Sequence, residues 1–301
     1  MQNQKLDTQK ISSQYQHDAL KPDFNKREIK QKNGIYTQEV YVLTLRLIKQ
    51  SIRRPSLVLT GILQPLLWLT LFSALFQNAP IQLFTYGQKY SEFVSCGIIV
   101  FTAFTSALNS GLPIIFDREF GFFNRILSSS IYSRYSVIIA SSINILLSIY
   151  LQILFIVFTI NMLGNSVPQS YHFATVFIIL FLLSNAVTSI SLMLAFILPG
   201  HIELLACLLI VNLPLLFSST ALAPLVFMPS WLQIIASINP LTYAIETIRY
   251  TYLNKILLPT SIIITTTWGE MNLHKIIIIL VSTNILTFII SHKLISHKFA
   301  D

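Results

Sequence analysis

The chain has 301 residues, of which 53% are hydrophobic and only 11% charged, with a mean hydropathy of +0.66 and a formal net charge of +8. Soluble domains carry about 25% charged residues, so this balance excludes an ordinary soluble domain, and the gathering of apolar residues into long blocks places the chain among membrane proteins. Cys96 and Cys207 both fall inside apolar runs with no C-x-x-C spacing, which excludes a disulfide framework or a cysteine metal site.

Residues 1–36 form a polar, basic tail in which Gln, Asn, Lys and Ser predominate, and they read as disordered. Residues 1–56 hold eleven of the twenty Lys and Arg against five acids, an excess of six positive charges. No aromatic interleaving or nucleic-acid module accompanies that charge, so it reads as the flank of a membrane span and not as a nucleic-acid arm. No apolar stretch precedes residue 40, which argues against a signal peptide, and Asp7, Asp18 and Asp23 argue against a transit peptide. The expectation is a protein made in the compartment whose membrane it enters. Its bias toward Ile, Asn and Lys suggests an AT-rich genome, such as an organelle's or certain bacteria's.

From 37 to 54 a helical period appears. Glu39, Arg46, Lys49, Gln50 and Arg53 fall on one face, and Val40, Leu43, Leu47, Ile48 and Ile52 on the broad opposite one. An amphipathic helix with a basic face suits a membrane interface, and Pro55 ends it. Six apolar segments follow, at about 57–76, 93–116, 137–163, 173–198, 202–227 and 273–294. Each has roughly the 20 residues needed to cross the hydrocarbon. In the last, Lys275 must snorkel. With the tail inside, sixteen Lys and Arg lie on the inner side and four on the outer. That asymmetry predicts six spans with both termini inside.

Between the fifth and sixth spans the chain is too apolar for an ordinary outer loop, and Pro229, Pro240 and Pro259 cut it into short pieces. One holds Trp231. The next, from 241 to 255, carries an apolar stripe of Leu241, Ile245, Ile248 and Tyr252 beside a polar one of Thr242, Glu246 and Arg249. At about 15 residues such a helix cannot span. It either lies at the interface or re-enters the membrane against protein, where its polar stripe needs partners.

No Gly-Lys-Ser/Thr phosphate loop occurs, so the chain is not expected to bind nucleotide by that route, nor to be an enzyme. The scattered histidines give no metal site, and no cofactor is expected. Ionisable residues are nearly absent within the spans, which disfavours an ion-coupled carrier and fits a protein driven by another subunit. Against that background the inner segment FDREFGFFNRILSSSIYSR, residues 116–134, is notable. Asp117 and Glu119 precede the apolar-periodic Phe120, Phe123, Ile126 and Leu127, with Arg118, Arg125 and Arg134 around them. Acids favour a helix N-terminus, so a short inner-face helix is expected to start near Asp117. The bland alternative is a charged turn that only fixes topology. The exposed aromatics favour docking on a partner.

That segment resembles the loop between the second and third spans of ABC-2 type permeases, the membrane subunits of ATP-binding-cassette exporters. MPSWLQIIASINPLTYAIETIRY, residues 228–250, is similar to the same family's stretch before its last span. The likeness covers about residues 38–295 and is nearest to permeases encoded by cyanobacteria and some algal plastid genomes. One departure is the absence of the proline the family often has before its Ser-Arg, here Ser133-Arg134.

The resemblance implies an all-α membrane protein. It would have six transmembrane helices, an N-terminal interfacial helix, and short re-entrant or interfacial helices before the last span. It also implies a dimer, with itself or a second permease, lying in lipid over separate ABC ATPase subunits, in a plastid membrane or a bacterial inner membrane. Asp117, Arg118, Glu119, Phe120, Phe123, Arg125 and Arg134 would couple to the ATPase; Trp231, Asn239, Pro240, Tyr243, Glu246 and Arg249 would build the outer helices. The same topology would also suit a membrane subunit of a protein-translocation or cofactor-assembly machine that moves no small solute.

Overall fold

The structure, a computed structural model, describes residues 32–53, 55–78, 89–128, 133–163, 172–253 and 261–300. Most of the expected tail lies outside them. Its described elements are helices apart from one hairpin. Helix α1 runs Lys32–Arg53, five residues earlier than the sequence period begins. Pro55 opens α2, Pro55–Leu75, because a proline lacks only an N–H that the first helical turn leaves unused. Then come α3 (Tyr90–Leu108), a 3-10 turn at Asn109–Gly111, α4 (Leu112–Glu119) and α5 (Phe122–Ser128). The long helices α6 (Arg134–Met162) and α7 (Phe173–Ile197) are followed by α8 (His201–Phe217), α9 (Ser230–Ile238) and α10 (Pro240–Leu253). A two-stranded antiparallel hairpin, β1 (Ile262–Thr266) and β2 (Gly269–Asn272), leads into α11 (Leu273–Ala300).

Among the described residues, four helical stretches are long and apolar enough to cross a membrane: Tyr90–Glu119, Tyr135–Met162, Phe173–Ile197 and Leu273–Ser296. The expected first and fifth spans fall on shorter apolar helices, Gly61–Leu75 and His201–Phe217. Contacts bring particular helix ends together. Ser136 at the start of α6 donates to Glu39 of α1 (2.9 Å), and Tyr135 stacks on His292 near the end of α11 (5.3 Å between centroids). At the other end Tyr90, opening α3, donates to the Leu222 carbonyl beyond α8 (3.2 Å).

Helix α3 is the axis of the bundle and is buried along almost its whole length, with α2, α6, α7 and α10 packed around it. Two glycines permit the closest approaches: a Cβ on Gly97 would sit 2.5 Å from the Ala221 carbonyl oxygen, and one on Gly111 2.5 Å from that of Ser191. Side-chain amides join helices where hydrocarbon offers no other partner. Asn185 of α7 donates to Asn284 of α11 (2.9 Å), Asn284 to the Leu182 carbonyl (2.6 Å), and Ser106 of α3 to Gln152 of α6. Outward, the helices present Leu67, Leu71, Leu154, Phe158, Leu209 and Phe288. A continuous apolar belt of that kind is tolerable only against lipid or another membrane protein.

Two expectations are corrected. The acidic cluster does not start a helix: Asp117, Arg118 and Glu119 are the last three residues of α4, which begins at Leu112 with Pro113 in its first turn. Gly121, at φ 70°, reverses the chain before α5. Residues 262–272, in the stretch before the last span where only short helices are expected, form a hairpin whose turn ends on Gly269 at φ 112°. The β-branched run Ile262 to Thr267 supplies the strand preference, and Gly269 the conformation that other residues rarely adopt.

Candidate coupling and outer sites at the two ends of the bundle

At the α1 end, Arg118 and Glu119 face the junction of α7 and α8. The Arg118 guanidinium donates through Nη1 to the carbonyls of Ala195 (2.8 Å) and Phe196 (2.9 Å), and through Nη2 to those of Pro199 (2.9 Å) and Leu198. These include the last carbonyls of α7, which no intrahelical donor can reach and which form the negative end of its dipole. Glu119 does the complementary work on the next helix. Its Oε1 accepts the His201 backbone N–H (2.6 Å), and its Oε2 lies 2.6 Å from His201 Nδ1. His201 is the first residue of α8, and the preceding Gly200 offers no capping side chain. The acid therefore does serve a helix N-terminus, that of α8 and not its own. A Cβ on Gly200 would come within 2.9 Å of Glu119 Oε1, so the clamp closes directly over that glycine.

The other residues of the segment divide by exposure. Phe123 is buried and meets Phe196 edge-on (5.5 Å). Phe120 is 79% exposed, although it stacks on Phe116 (6.2 Å), which in turn lies against His201 (4.9 Å). Arg125 is exposed on α5. Arg134 is the first residue of α6; its side chain lies outside the described ones. Asp117 is half-buried and lines a groove of about 760 Å³ with Phe122 and, from α1, Val42, Leu45, Arg46, Lys49, Gln50 and Arg53. Six of the seven predicted residues thus gather around one short reversal of the chain. His201, the partner of Glu119, carried no sequence signal, being 82 residues from it.

At the opposite end, Asn239 and Pro240 set the start of α10. The Asn239 Oδ1 accepts the Leu241 N–H (3.0 Å), and its Nδ2 donates to the carbonyls of Leu215 (3.0 Å), in the last turn of α8, and Ser218 (3.4 Å), just after it. One side chain thereby caps α10 and ties it to α8. Tyr243 is buried and donates to the Ser237 carbonyl of α9 (2.5 Å). Trp231 is 63% exposed, on the outer side of α9.

Glu246 and Arg249 are 6% and 0% exposed and pair directly through Oε1 and Nη1. Arg249 Nη2 also donates to the Thr220 carbonyl (2.9 Å) and the Phe93 carbonyl (3.3 Å), and its guanidinium lies 3.6 Å from the Phe93 ring centre. Its polar stripe faces protein, so α10 is not a helix resting on a surface. The apolar stripe, Leu241, Ile245 and Ile248, is equally buried.

Long apolar helices with a lipid-compatible exterior define a multi-pass integral membrane protein. The family description "ABC-2 type transporter" matches residues 38–253, well over half the sequence. The chain belongs to the ABC-2 type transporter family, whose members are membrane components of transporters and not the ATPase itself. It is 52% identical over 259 residues to a protein named as a transport permease, ycf38, in Porphyra purpurea, covering 85% of this chain and 89% of that one. Proteins of the same name in Pyropia yezoensis and Cyanophora paradoxa are 49% and 46% identical, over 87% and 88% of this chain and 90% and 91% of theirs. These relatives are encoded in red algal and glaucophyte plastid genomes.

Proposed function

We propose that this chain is the membrane subunit of an ATP-driven exporter in a plastid membrane, moved by separate ATPase subunits that dock beneath its α1 end. In this reading α2 and α8 complete six crossings, both termini lie on the stromal side, and the transport path forms where two permease subunits meet. The observation that carries the reading is the double clamp of Arg118 and Glu119. It fastens the α4–α5 reversal, with Phe120 and Arg125 exposed at its tip, to the hinge between α7 and α8. Helix α8 packs only lightly elsewhere and exposes Leu209, Ile210 and Phe217 along its length. A push on the reversal is therefore delivered to a lightly packed apolar helix. The buried α10 and the more exposed α9 would then lid the path at its far end.

The test is affinity purification of the tagged chain after cross-linking in its own membrane. The expected result is one co-purifying protein with a phosphate-binding loop, and ATP hydrolysis that the permease stimulates. Recovery of translocation or cofactor-assembly factors, with no such ATPase, would replace this reading with that of a non-transporting assembly subunit.

A further inference from the structure

We propose that the groove between α1 and the α4–α5 reversal is a binding site for the anionic headgroup of a membrane lipid. Three cations, Arg46, Lys49 and Arg53, line it along one edge, against a single acid, Asp117. Their spacing keeps them within about 60° of one another around the helix and about 10 Å along it. None of the three forms an ion pair with a carboxylate among the described residues. The Arg46 Cζ lies over the Phe122 ring, 4.5 Å from its centre, which holds the guanidinium in the groove and leaves N–H donors for an anion.

The surroundings select a lipid over an acidic protein segment. Val42 and Leu45 also line the groove. Tyr41, Leu45 and Ile52 form an exposed apolar strip on α1 directly beside the cation row. A carboxylate-rich peptide would neutralise the cations and leave that strip in water. A lipid satisfies both, with its headgroup on Arg46, Lys49 and Arg53 and the start of its acyl chains on the strip. The height also fits. Arg53 stands two residues before Pro55, where α2 begins, and Asp117 hangs from the last turn of the apolar stretch Tyr90–Glu119. In the proposed function, in which α2 crosses the membrane, the groove therefore lies between the ends of two crossing elements, at the level of the headgroups.

The full-length chain in neutral detergent, supplemented with phosphatidylglycerol, phosphatidylcholine or inorganic phosphate, tests this by thermal unfolding. Phosphatidylglycerol is expected to raise Tm by about 3 °C or more over phosphatidylcholine, and inorganic phosphate to do nothing. The Lys49→Gln/Arg53→Gln variant alters two exposed side chains, so its Tm in phosphatidylcholine should match the parent's. It should lose most of the phosphatidylglycerol shift. Arg125→Gln, an exposed cation outside the groove, should keep it. An undiminished shift in the double variant, or an equal shift in Arg125→Gln and the double variant, would place the lipid elsewhere. Stabilisation by inorganic phosphate would make this a free-anion site. An unchanged lipid shift combined with loss of the co-purifying ATPase would make the groove a protein interface. The last result overturns the lipid site while leaving the transporter reading in place.

Discussion

Alanine at Arg249 or at Glu246 is expected to lower the stability of the detergent-solubilised protein by about 3–5 kcal/mol, the cost of stranding one member of a buried ion pair. An exposed pair three residues apart on a helix would contribute only about 0.2–0.5 kcal/mol. Burial separates the two cases, and here Arg249 is 0% exposed. The two variants should not be equal. Glu246→Ala leaves the guanidinium with the Thr220 and Phe93 carbonyls and the Phe93 ring, which offset part of the loss. Arg249→Ala removes those contacts too, empties the space of a large buried side chain, and leaves a carboxylate whose only direct ion-pair partner among the described residues was Arg249. It should be the worse of the pair. The double variant should recover part of the sum, and Glu246→Gln, which keeps an acceptor without the charge, should fall between Glu246→Ala and the parent. Unfolding midpoints measured by scanning fluorimetry check this, and two silent single variants would contradict it.

Exchanging the charges of the clamp, Arg118→Glu with Glu119→Arg, should leave membrane yield unchanged and reduce permease-stimulated ATP hydrolysis at least about tenfold, a change in activation free energy of modest size. Net charge in the segment is conserved, so the topology signal survives. The clamp does not. Glutamate at 118 would face the carbonyls of Ala195, Phe196, Leu198 and Pro199, and arginine at 119 would meet the N-terminus of α8. Both are repelled by the helix dipoles that the natural pair satisfies. Glu119 and His201 are partly exposed, so the effect on overall stability should be small and the effect on coupling large. Undiminished stimulation with normal yield would reduce the segment to a topology signal.

Local features of this chain were legible because their causes are local. The period of the apolar residues marked α1, the proline at 55 marked its end, and Asn239-Pro240 marked the start of α10. The three-residue spacing of Glu246 and Arg249 put them on one face, and the shortness of α10 with its apolar stripe pointed to burial. The clamp was not legible. Acids at the start of an apolar period suggested a helix beginning at Asp117, but the helix had begun at Leu112 and ended at Glu119. The partners of Arg118 and Glu119 lie 77 to 82 residues on, and only the packing of α4 on the α7–α8 junction brings them near. The hairpin was missed for a different reason: Ile262 to Ile264 are as apolar as a helix, and only Gly269 behind the threonines signals a turn.

In the proposed function an ATPase subunit presses on the α4–α5 reversal. Site-specific photo-cross-linking from position 120 tests it most directly, because Phe120 is 79% exposed at that tip, and Trp231, 63% exposed at the other end of the bundle, supplies the control. A photoreactive phenylalanine analogue at 120 should capture the ATPase subunit, with a yield that changes between ATP-bound and nucleotide-free states, whereas the same group at 231 should not. Capture from neither position, or equal capture from both, would contradict docking of an ATPase at the reversal.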